Sequence, residues 1–337
     1  MSIVDGTTRP TFMLGAGFNA DAQSYVADSV ALPSAIRCGY PLAVGLARVC
    51  FELDQPPIDR SIEDLFEQAR RAGDSKPMQR LADCLMAADY HIAAGLIPEF
   101  GAAANPYSTF FDRFAGCQFL TFNYDSLPEL LLLHGGRWHP RDGYGVPVAA
   151  EVLPGQETLC ERPSTSLVLH LHGSLCLYTS TFTFERSPDS RVDWYTPRPE
   201  PRYLFEPHSV GSLFTPFSAP APVFGFPSPE RRVVAPVPNK AEGLKSAFIR
   251  ALYERAEELI ASSSALISVG YSFNFYDTFS FGPLLAAAES RAIPVILVSP
   301  DARDVKARLS SEYRGISFHP MPVTFSSWAE GGFPGAW

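Results

Sequence analysis

Four apolar runs of strand length constrain the fold most, because each ends in a short signature rich in glycine, asparagine or histidine. A buried parallel strand is apolar on both faces and presents functional groups where it ends, at one edge of a sheet. Four such strand ends in one chain indicate a nucleotide site. The signatures are TFMLGAGFN at Thr11–Asn19, FLTFNYD at Phe119–Asp125, LVLHLHGS at Leu167–Ser174 and ALISVGYS at Ala265–Ser272.

Strands and helices alternate along the rest of the chain. A helix at Phe281–Ser290 separates the apolar runs Leu266–Val269 and Pro294–Val298, and a longer helix is predicted at Ala241–Ser262. This alternation predicts an α/β fold with a Rossmann-like parallel sheet and helices on both faces. We expect one domain over residues 1–337.

Two insertions are predicted within that domain. Apolar residues recur at helical spacing over residues 42–115, where Asp59 or Ser61 is a suitable N-cap and a further helix is expected at Asp83–Phe100. Between Pro188 and Pro238 lie 12 of the 31 prolines, interleaved with aromatic residues. Proline at that density disfavours long regular elements, so residues 180–240 are expected to form an ordered but irregular lobe.

Composition excludes several classes of protein. The formal net charge of −9 disfavours direct binding to nucleic acid, which needs a basic excess. The six cysteines form no CxxC pair, so we expect reduced thiols and no zinc knot. The first residues are polar and no apolar run reaches the roughly 18 residues of a membrane helix. We therefore expect a cytoplasmic protein without a secretory leader or a membrane span.

The glycine loop and the NYD signature each allow a structural and a functional interpretation. A GxG after a strand makes a tight turn whether or not it binds phosphate, and Ala20 stands where the dinucleotide fingerprint has its third glycine. An ordinary Rossmann dehydrogenase therefore fits poorly. Asn123 and Asp125 follow a strand and are expected at the sheet edge, although Asn123 could satisfy a turn and Asp125 could cap the next helix.

The two histidines of the third signature also leave alternatives open. His170 and His172 are two residues apart on a predicted strand, so they would share a face. That spacing can bind a metal, but a third ligand is not evident and a hydrogen-bonded core histidine is more common. Gly173 favours a functional role for His172, because it leaves room beside the imidazole. Ser272 and Ser299 likewise follow predicted strands and suit a nucleotide site or a plain turn.

In this order the signatures resemble the sirtuin-like family of NAD-consuming proteins. The resemblance is closer to the bacterial antiphage-defence branch than to the protein deacylases, and the motifs extend from residue 11 to about residue 300. Paired zinc cysteines and the Pro-Asp-Phe-Arg element of the deacylases are absent from the sequence. The residues that carry the resemblance are the GAG loop at Gly15–Gly17, GYPL at Gly39–Leu42, IEDLFE at Ile62–Glu67, NxD at Asn123–Asp125, HG at His172–Gly173, PVPNK at Pro236–Lys240, and GYS at Gly270–Ser272 followed by Asp277.

The resemblance implies that NAD is consumed as a substrate, without a metal. Asn123 would orient the water or a ribose hydroxyl, and His172 would act as general base. Asp125 would hold the nicotinamide amide, while the backbone amides of Ala16–Phe18 would cradle the pyrophosphate. The remaining implied contacts with NAD are Gly15, Asn19, Gly173, Gly270, Ser272 and Ser299.

The implied activity is hydrolysis of the nicotinamide–ribose bond to nicotinamide and ADP-ribose, in a regulated effector of antiphage defence. Unchecked loss of NAD would be toxic, so we expect a homo-oligomer or a complex with an activating partner protein. Three alternatives stay open: a sensor that binds NAD or ADP-ribose without turnover, an NAD-dependent protein deacylase, and a structural or interaction subunit. The missing zinc cysteines disfavour the deacylase.

Overall fold

The strands of the computed structural model fall into one parallel sheet and one antiparallel sheet. The structure describes residues 8–25, 43–55, 61–88, 96, 105–139, 142–146, 163–186, 193–205, 230–233 and 247–335. Within them, the strands are β1 (Thr11–Leu14), β2 (Gln118–Thr121), β3 (Leu167–His170), β4 (Gly173–Arg186), β5 (Asp193–Phe205), β6 (Glu230–Val233), β7 (Leu266–Val269), β8 (Val295–Val298) and β9 (Phe318–Met321).

The larger sheet has six parallel strands in the order β3-β2-β1-β7-β8-β9. The chain moves outward from β1 to β3, returns to the centre at β7, and then moves outward in the other direction. This is the strand order of the doubly wound nucleotide-binding fold, in which ligands bind where the order reverses. The predicted Rossmann-like α/β sheet is confirmed, and its switch point lies between β1 and β7.

Helices surround this sheet, and among the described residues they pack in three groups: α1 with α2 and α3, α4 with α5 and α9, and α6 with α7. Right-handed crossovers on the two sides of the switch point place the helices that connect the strands on opposite faces. The helices are α1 (Ala43–Phe51), α2 (Ile62–Arg71), α3 (Lys76–Ala88), α4 (Pro106–Arg113), α5 (Leu127–His134), α6 (Ala247–Ala261), α7 (Thr278–Ser290), α8 (Ala302–Glu312) and α9 (Phe325–Glu330).

Four of these helices, α1 to α4, lie between β1 and β2, where the helical insertion was predicted. The N-cap of α2 is Ser61, whose hydroxyl accepts from the Asp64 amide at 3.1 Å while the Asp64 carboxylate accepts from the Ser61 amide at 3.0 Å. This reciprocal capping box satisfies two amides at the helix start. The helix predicted at Asp83–Phe100 begins earlier in the structure, as α3, at Lys76. Most of the predicted range after Ala88 lies outside the described residues.

Aromatic side chains dominate the core beside β1. The Phe12 ring contacts Phe110 of α4 and Phe114, the C-cap of that helix, at centroid distances of 5.0 and 4.7 Å. It also stacks on Phe119 of β2 at 5.5 Å. Trp328 of α9 is buried in the same core. The C-terminal part of the chain therefore docks on the layer formed by α4.

The prediction of an irregular proline-rich lobe is wrong for the part of it that the structure describes. Strands β4 and β5 run for 14 and 13 residues and pair antiparallel, with β6 on the other side of β4. Proline has no backbone N–H to donate to a neighbouring strand. Because β5 is an edge strand, its three prolines can be accommodated where that hydrogen bond would face the unpaired side. The ladder also shifts register between Ser180 and Phe182, opposite Pro199 and Pro201.

Three of the six cysteines lie in the described core and are free thiols, namely Cys50, Cys84 and Cys117. Burial raises the pKa of Cys84 and of Cys117 to about 11, so both are protonated at neutral pH. Thiolates are the reactive form of cysteine, and these side chains act as small apolar core residues. Within the same described part, no helix combines the length and apolar character needed to cross a membrane.

Candidate functional site

A cleft of about 510 Å³ opens at the carboxyl edge of the parallel sheet, at the switch point between β1 and β7. Loops that follow β1, β2, β3, β7 and β8 contribute to its wall, as do α2 and the start of α9. Seven of the residues predicted for a nucleotide site line it together: Ala16, Gly17, Asn123, His172, Gly270, Ser272 and Ser299.

Glycines allow the loops after β1 and β7 to touch along their backbones. A Cβ on Gly15 would lie 2.5 Å from the Tyr271 Cα atom, and one on Gly17 would lie 2.9 Å from the Gly270 carbonyl oxygen. Gly270 has a φ of +64°, and a Cβ there would overlap the Phe18 amide nitrogen. The glycine pattern is therefore required by the contact between the two loops, whether or not a ligand is bound.

Hydrogen bonds within the loops occupy most amides of the glycine loop. Gly15 donates to the Val269 carbonyl at 3.0 Å, Gly17 donates to the Gly270 carbonyl at 2.9 Å, and Phe18 donates to the Gly15 carbonyl at 2.9 Å. Two of the three amides predicted to cradle a pyrophosphate, those of Gly17 and Phe18, are thus engaged in this conformation.

Asn123 lies at the end of β2 and is held at three atoms. Its backbone amide donates to the Thr121 hydroxyl at 3.0 Å, and its Nδ2 donates to the Gly15 carbonyl at 3.1 Å. Its backbone carbonyl oxygen lies 3.0 Å from Nδ1 of His170. The side-chain Oδ1 is the polar atom of Asn123 that none of these contacts uses, and the residue lines the cleft.

His172 follows β3 and contacts groups from two other elements. Its Nε2 lies 2.9 Å from the Oγ atom of Ser280 in α7, and its ring packs edge-on against Phe122 at 4.9 Å. Both His172 and Ser280 are buried. Ser280 was not predicted from the sequence, because TFSF is an unremarkable helix start and the contact spans 108 residues.

The structure separates His170 from His172. His170 ends β3 and is fully buried, with Nε2 2.5 Å from Oε1 of Glu129. Glu129 lies in the first turn of α5 and is also fully buried. The two histidines therefore have different hydrogen-bond partners, and His170 matches the alternative of a hydrogen-bonded core histidine.

Five of the predicted site residues do not line the cleft. Asp125 accepts from Asn19 Nδ2 at 2.7 Å and from the amide of Leu127, the first residue of α5, at 3.2 Å. Asn19 is buried in that contact, and Phe18 packs in the core against Tyr107. The other two are Gly15, in the loop contact, and Gly173, which begins β4 with a φ of +82°.

Acidic side chains line the cleft, a feature that no sequence motif indicated. They come from four separate segments, and no lysine or arginine accompanies them among the described lining residues. Burial, followed by the negative charges of Asp277 and Glu63, raises the pKa of Tyr124 well above its ordinary value. The cleft therefore favours positive charge in a ligand. Its carboxylates are those of Asp21, Glu63, Asp277 and Asp301.

Two hydrogen bonds join α2 to the loop after β7 across this wall. Asn274 Nδ2 donates to Glu63 Oε1 at 3.2 Å, and the Tyr276 hydroxyl donates to Asp64 Oδ2 at 3.3 Å. These partners are more than 200 residues apart in sequence. The helical insertion is thus fixed to the sheet loops where it borders the cleft.

The scan of protein-family models and the search of curated proteins found no match to this chain.

Proposed function

We propose that this protein is an NAD⁺ glycohydrolase that cleaves the nicotinamide–ribose bond. The observation that carries the proposal is that Asn123 and His172 line one cleft beside the glycine loop at the switch point of a doubly wound sheet. The resemblance of their motifs to the sirtuin-like NAD-consuming family adds the identity of the substrate.

The reaction needs one water molecule and one group that accepts a proton. The bond between ribose C1′ and the nicotinamide nitrogen breaks, its electron pair leaves with neutral nicotinamide, and the water oxygen bonds to C1′. The proton released from water passes to His172, since an imidazole suits proton transfer near neutral pH. Asn123 Oδ1 orients the water or a ribose hydroxyl by accepting a hydrogen bond. ADP-ribose is the second product.

The acidic wall supports this chemistry. Departure of nicotinamide leaves positive charge on the ribose in an oxocarbenium-like transition state, and fixed negative charges stabilise such a state. Glu63 and Asp277 line the cleft, and both act electrostatically on Tyr124, whose ring lies 6.4 Å from that of His172. The two carboxylates are thus on the side of the cleft where the reaction would take place.

Regulation is part of the proposal. The amides of Gly17 and Phe18 donate within the loops, so this conformation offers few donors to a pyrophosphate. An activating partner or self-assembly would rearrange the loop and complete the site. By the family resemblance, we place the protein among regulated effectors of bacterial antiphage defence.

Two measurements on the purified full-length chain, made on the isolated chain and on the assembled oligomer, test the proposal. Calorimetry measures binding of NAD⁺, and chromatography follows release of nicotinamide and ADP-ribose. We expect both products in equal amounts, and a rate that falls about 10²- to 10⁴-fold in His172→Ala and in Asn123→Ala with the fold intact. Near wild-type turnover in either variant would overturn the catalytic assignment, and absence of NAD⁺ binding would overturn the proposal as a whole.

A non-catalytic sensor of NAD or ADP-ribose is the second candidate. The engaged amides of the glycine loop favour it, because a loop that must rearrange before it binds a pyrophosphate would couple binding of NAD to a change of conformation. Binding of NAD⁺ without nicotinamide release, alone and as an assembled oligomer, would support the sensor over the hydrolase.

A further inference from the structure

A buried acid–histidine pair lies directly behind Asn123. His170 and Glu129 are both fully buried, and the Nε2–Oε1 distance between them is 2.5 Å. On the other side of the imidazole, Nδ1 lies 3.0 Å from the Asn123 carbonyl oxygen. The pair thus connects α5, the end of β3 and the peptide that follows β2.

The chemistry of these atoms fixes where protons lie. The Asn123 carbonyl can only accept, so Nδ1 of His170 must carry a hydrogen. Nε2 faces a carboxylate oxygen, and that contact needs a further proton on either Nε2 or Oε1. In both cases His170 donates to Asn123, and the pair has no net charge.

The surroundings of the pair favour retention of this proton. Burial lowers the pKa of His170, but the negative charge of Glu129 and its hydrogen bond raise the pKa by more. The Asn123 carbonyl and Asp125 add smaller contributions in the same direction, so the pKa of His170 is raised overall. The Tyr144 hydroxyl donates to Glu129 Oε1 at 3.3 Å. Glu129 Oε2 is buried and accepts no hydrogen bond from the described residues.

We propose that His170 and Glu129 are positioning residues that hold the Asn123 peptide so that Oδ1 faces the cleft. This inference rests on the proposed function, because it assigns the pair a role in the reaction of Asn123. Together with the bonds from Asn123 to Thr121 and Gly15, the His170 contact fixes the backbone on both sides of the Asn123 Cα atom. A shift of about 1 Å in a catalytic group can lower a rate about 10²-fold.

Two substitutions of one residue separate positioning from plain stability. In His170→Asn, the side-chain amide nitrogen takes the place of imidazole Nδ1 and can still donate to Asn123. In His170→Gln, the amide nitrogen takes the place of Nε2 and reaches Glu129 instead. Both variants remove the imidazole that Glu129 contacts, so their losses of thermal stability should be similar.

The expected result is a difference in kcat between the two variants. His170→Gln should lose about 10²-fold in kcat for nicotinamide release with little change in KM, and His170→Asn should recover most of that loss. Ser263→Ala is the matched control, because its buried hydroxyl lies 2.5 Å from Thr11 Oγ1 at the opposite end of β1. It should lower the melting temperature without changing kcat. Equal losses of kcat in both His170 variants would overturn the inference.

A second readout does not depend on turnover. In the NMR spectrum of protein labelled with ¹⁵N-histidine, the Nδ1–H of His170 should exchange slowly with solvent and persist from pH 6 to pH 8. Its absence would overturn the positioning role even if NAD⁺ is hydrolysed. Its presence in a protein that releases no nicotinamide would instead count against the proposed hydrolase, with the buried pair intact.

Discussion

His172 and Ser280 are joined through Nε2 and Oγ at 2.9 Å, so a helix on one side of the switch point orients an imidazole supplied by a strand on the other side. Ser280 is fully buried in the first turn of α7. Its hydroxyl limits rotation of the imidazole and helps to set which ring nitrogen carries the hydrogen.

Removal of this hydroxyl should slow the reaction without unfolding the protein. A typical hydrogen bond contributes about 1 kcal/mol, so Ser280→Ala is expected to lower kcat about fivefold, measured by nicotinamide release. Ser290→Ala removes a hydroxyl at the other end of α7, where it donates to the Ala287 carbonyl, and should leave kcat unchanged. Equal rates for Ser280→Ala and the wild type would exclude an orienting role for Ser280.

The contact between the two glycine loops predicts a large difference between two Gly→Ala variants. Gly270 and Gly73 have φ values of +64° and +70°, but only Gly270 has backbone atoms where a Cβ would lie. Gly73→Ala should cost about 1 kcal/mol through backbone conformation alone. Gly270→Ala adds an overlap with Phe18 and should cost substantially more. Urea unfolding of the two variants measures the difference, and similar losses would contradict the loop contact.

The acidic lining predicts that removal of one charge strengthens binding of NAD⁺. Asp21 lines the cleft beside the glycine loop, and Asp21→Asn keeps an oxygen that can accept the 2.9 Å bond from the Ser326 hydroxyl. With less repulsion of the pyrophosphate, calorimetry should give a Kd a few-fold lower, with a smaller effect at high salt. Asp74→Asn changes the net charge equally outside the cleft. If Asp74→Asn strengthens NAD⁺ binding as much as Asp21→Asn does, the change in affinity comes from net charge and not from the lining of the cleft.

The buried pair predicts that stability falls as the pH rises above neutrality. The pKa of His170 is raised in the folded protein from its ordinary value of 6.5, so the folded state holds this proton more tightly than the unfolded chain. Its contribution is fully present below pH 6.5 and is lost as the pH rises through the folded pKa. Urea unfolding between pH 6 and pH 9 should show this decline. Glu129→Gln should flatten it, and an unchanged slope would contradict the pairing.

The buried strands of the parallel sheet were the most predictable part of the fold. Strands β7 and β8 lie within one residue of the predicted runs, and β1, β2 and β3 each begin within one residue of the start of their signatures. Buried parallel strands need apolar residues on both faces, which makes them recognisable in a sequence. Strand β9 was not predicted. Its FHPM sequence is neither apolar nor alternating, and three of its four side chains are partly or fully exposed at the sheet edge. Its position is set by pairing with β8.

The candidate site was only partly predictable, for a different physical reason. Sequence patterns identify residues that follow strands, such as Asn123 and His172, but not which distant segments approach them. Glu63 reaches the cleft from an inserted helix through a contact that spans 211 residues. Asp125 has the expected place along the chain, yet its carboxylate points to Asn19 and the start of α5. Tertiary packing decides between such alternatives.

The position of β1 between β2 and β7 has a consequence for biosynthesis. Until about residue 270 has left the ribosome, the central strand can pair with only one neighbour, and the glycine loop lacks the carbonyl groups of Val269 and Gly270 that hold it. Asn123 and His172 are made early, but the cleft around them is closed last. A nascent chain that stalls before β7 would carry both side chains without an assembled site, so catalytic competence would be coupled to near-complete translation.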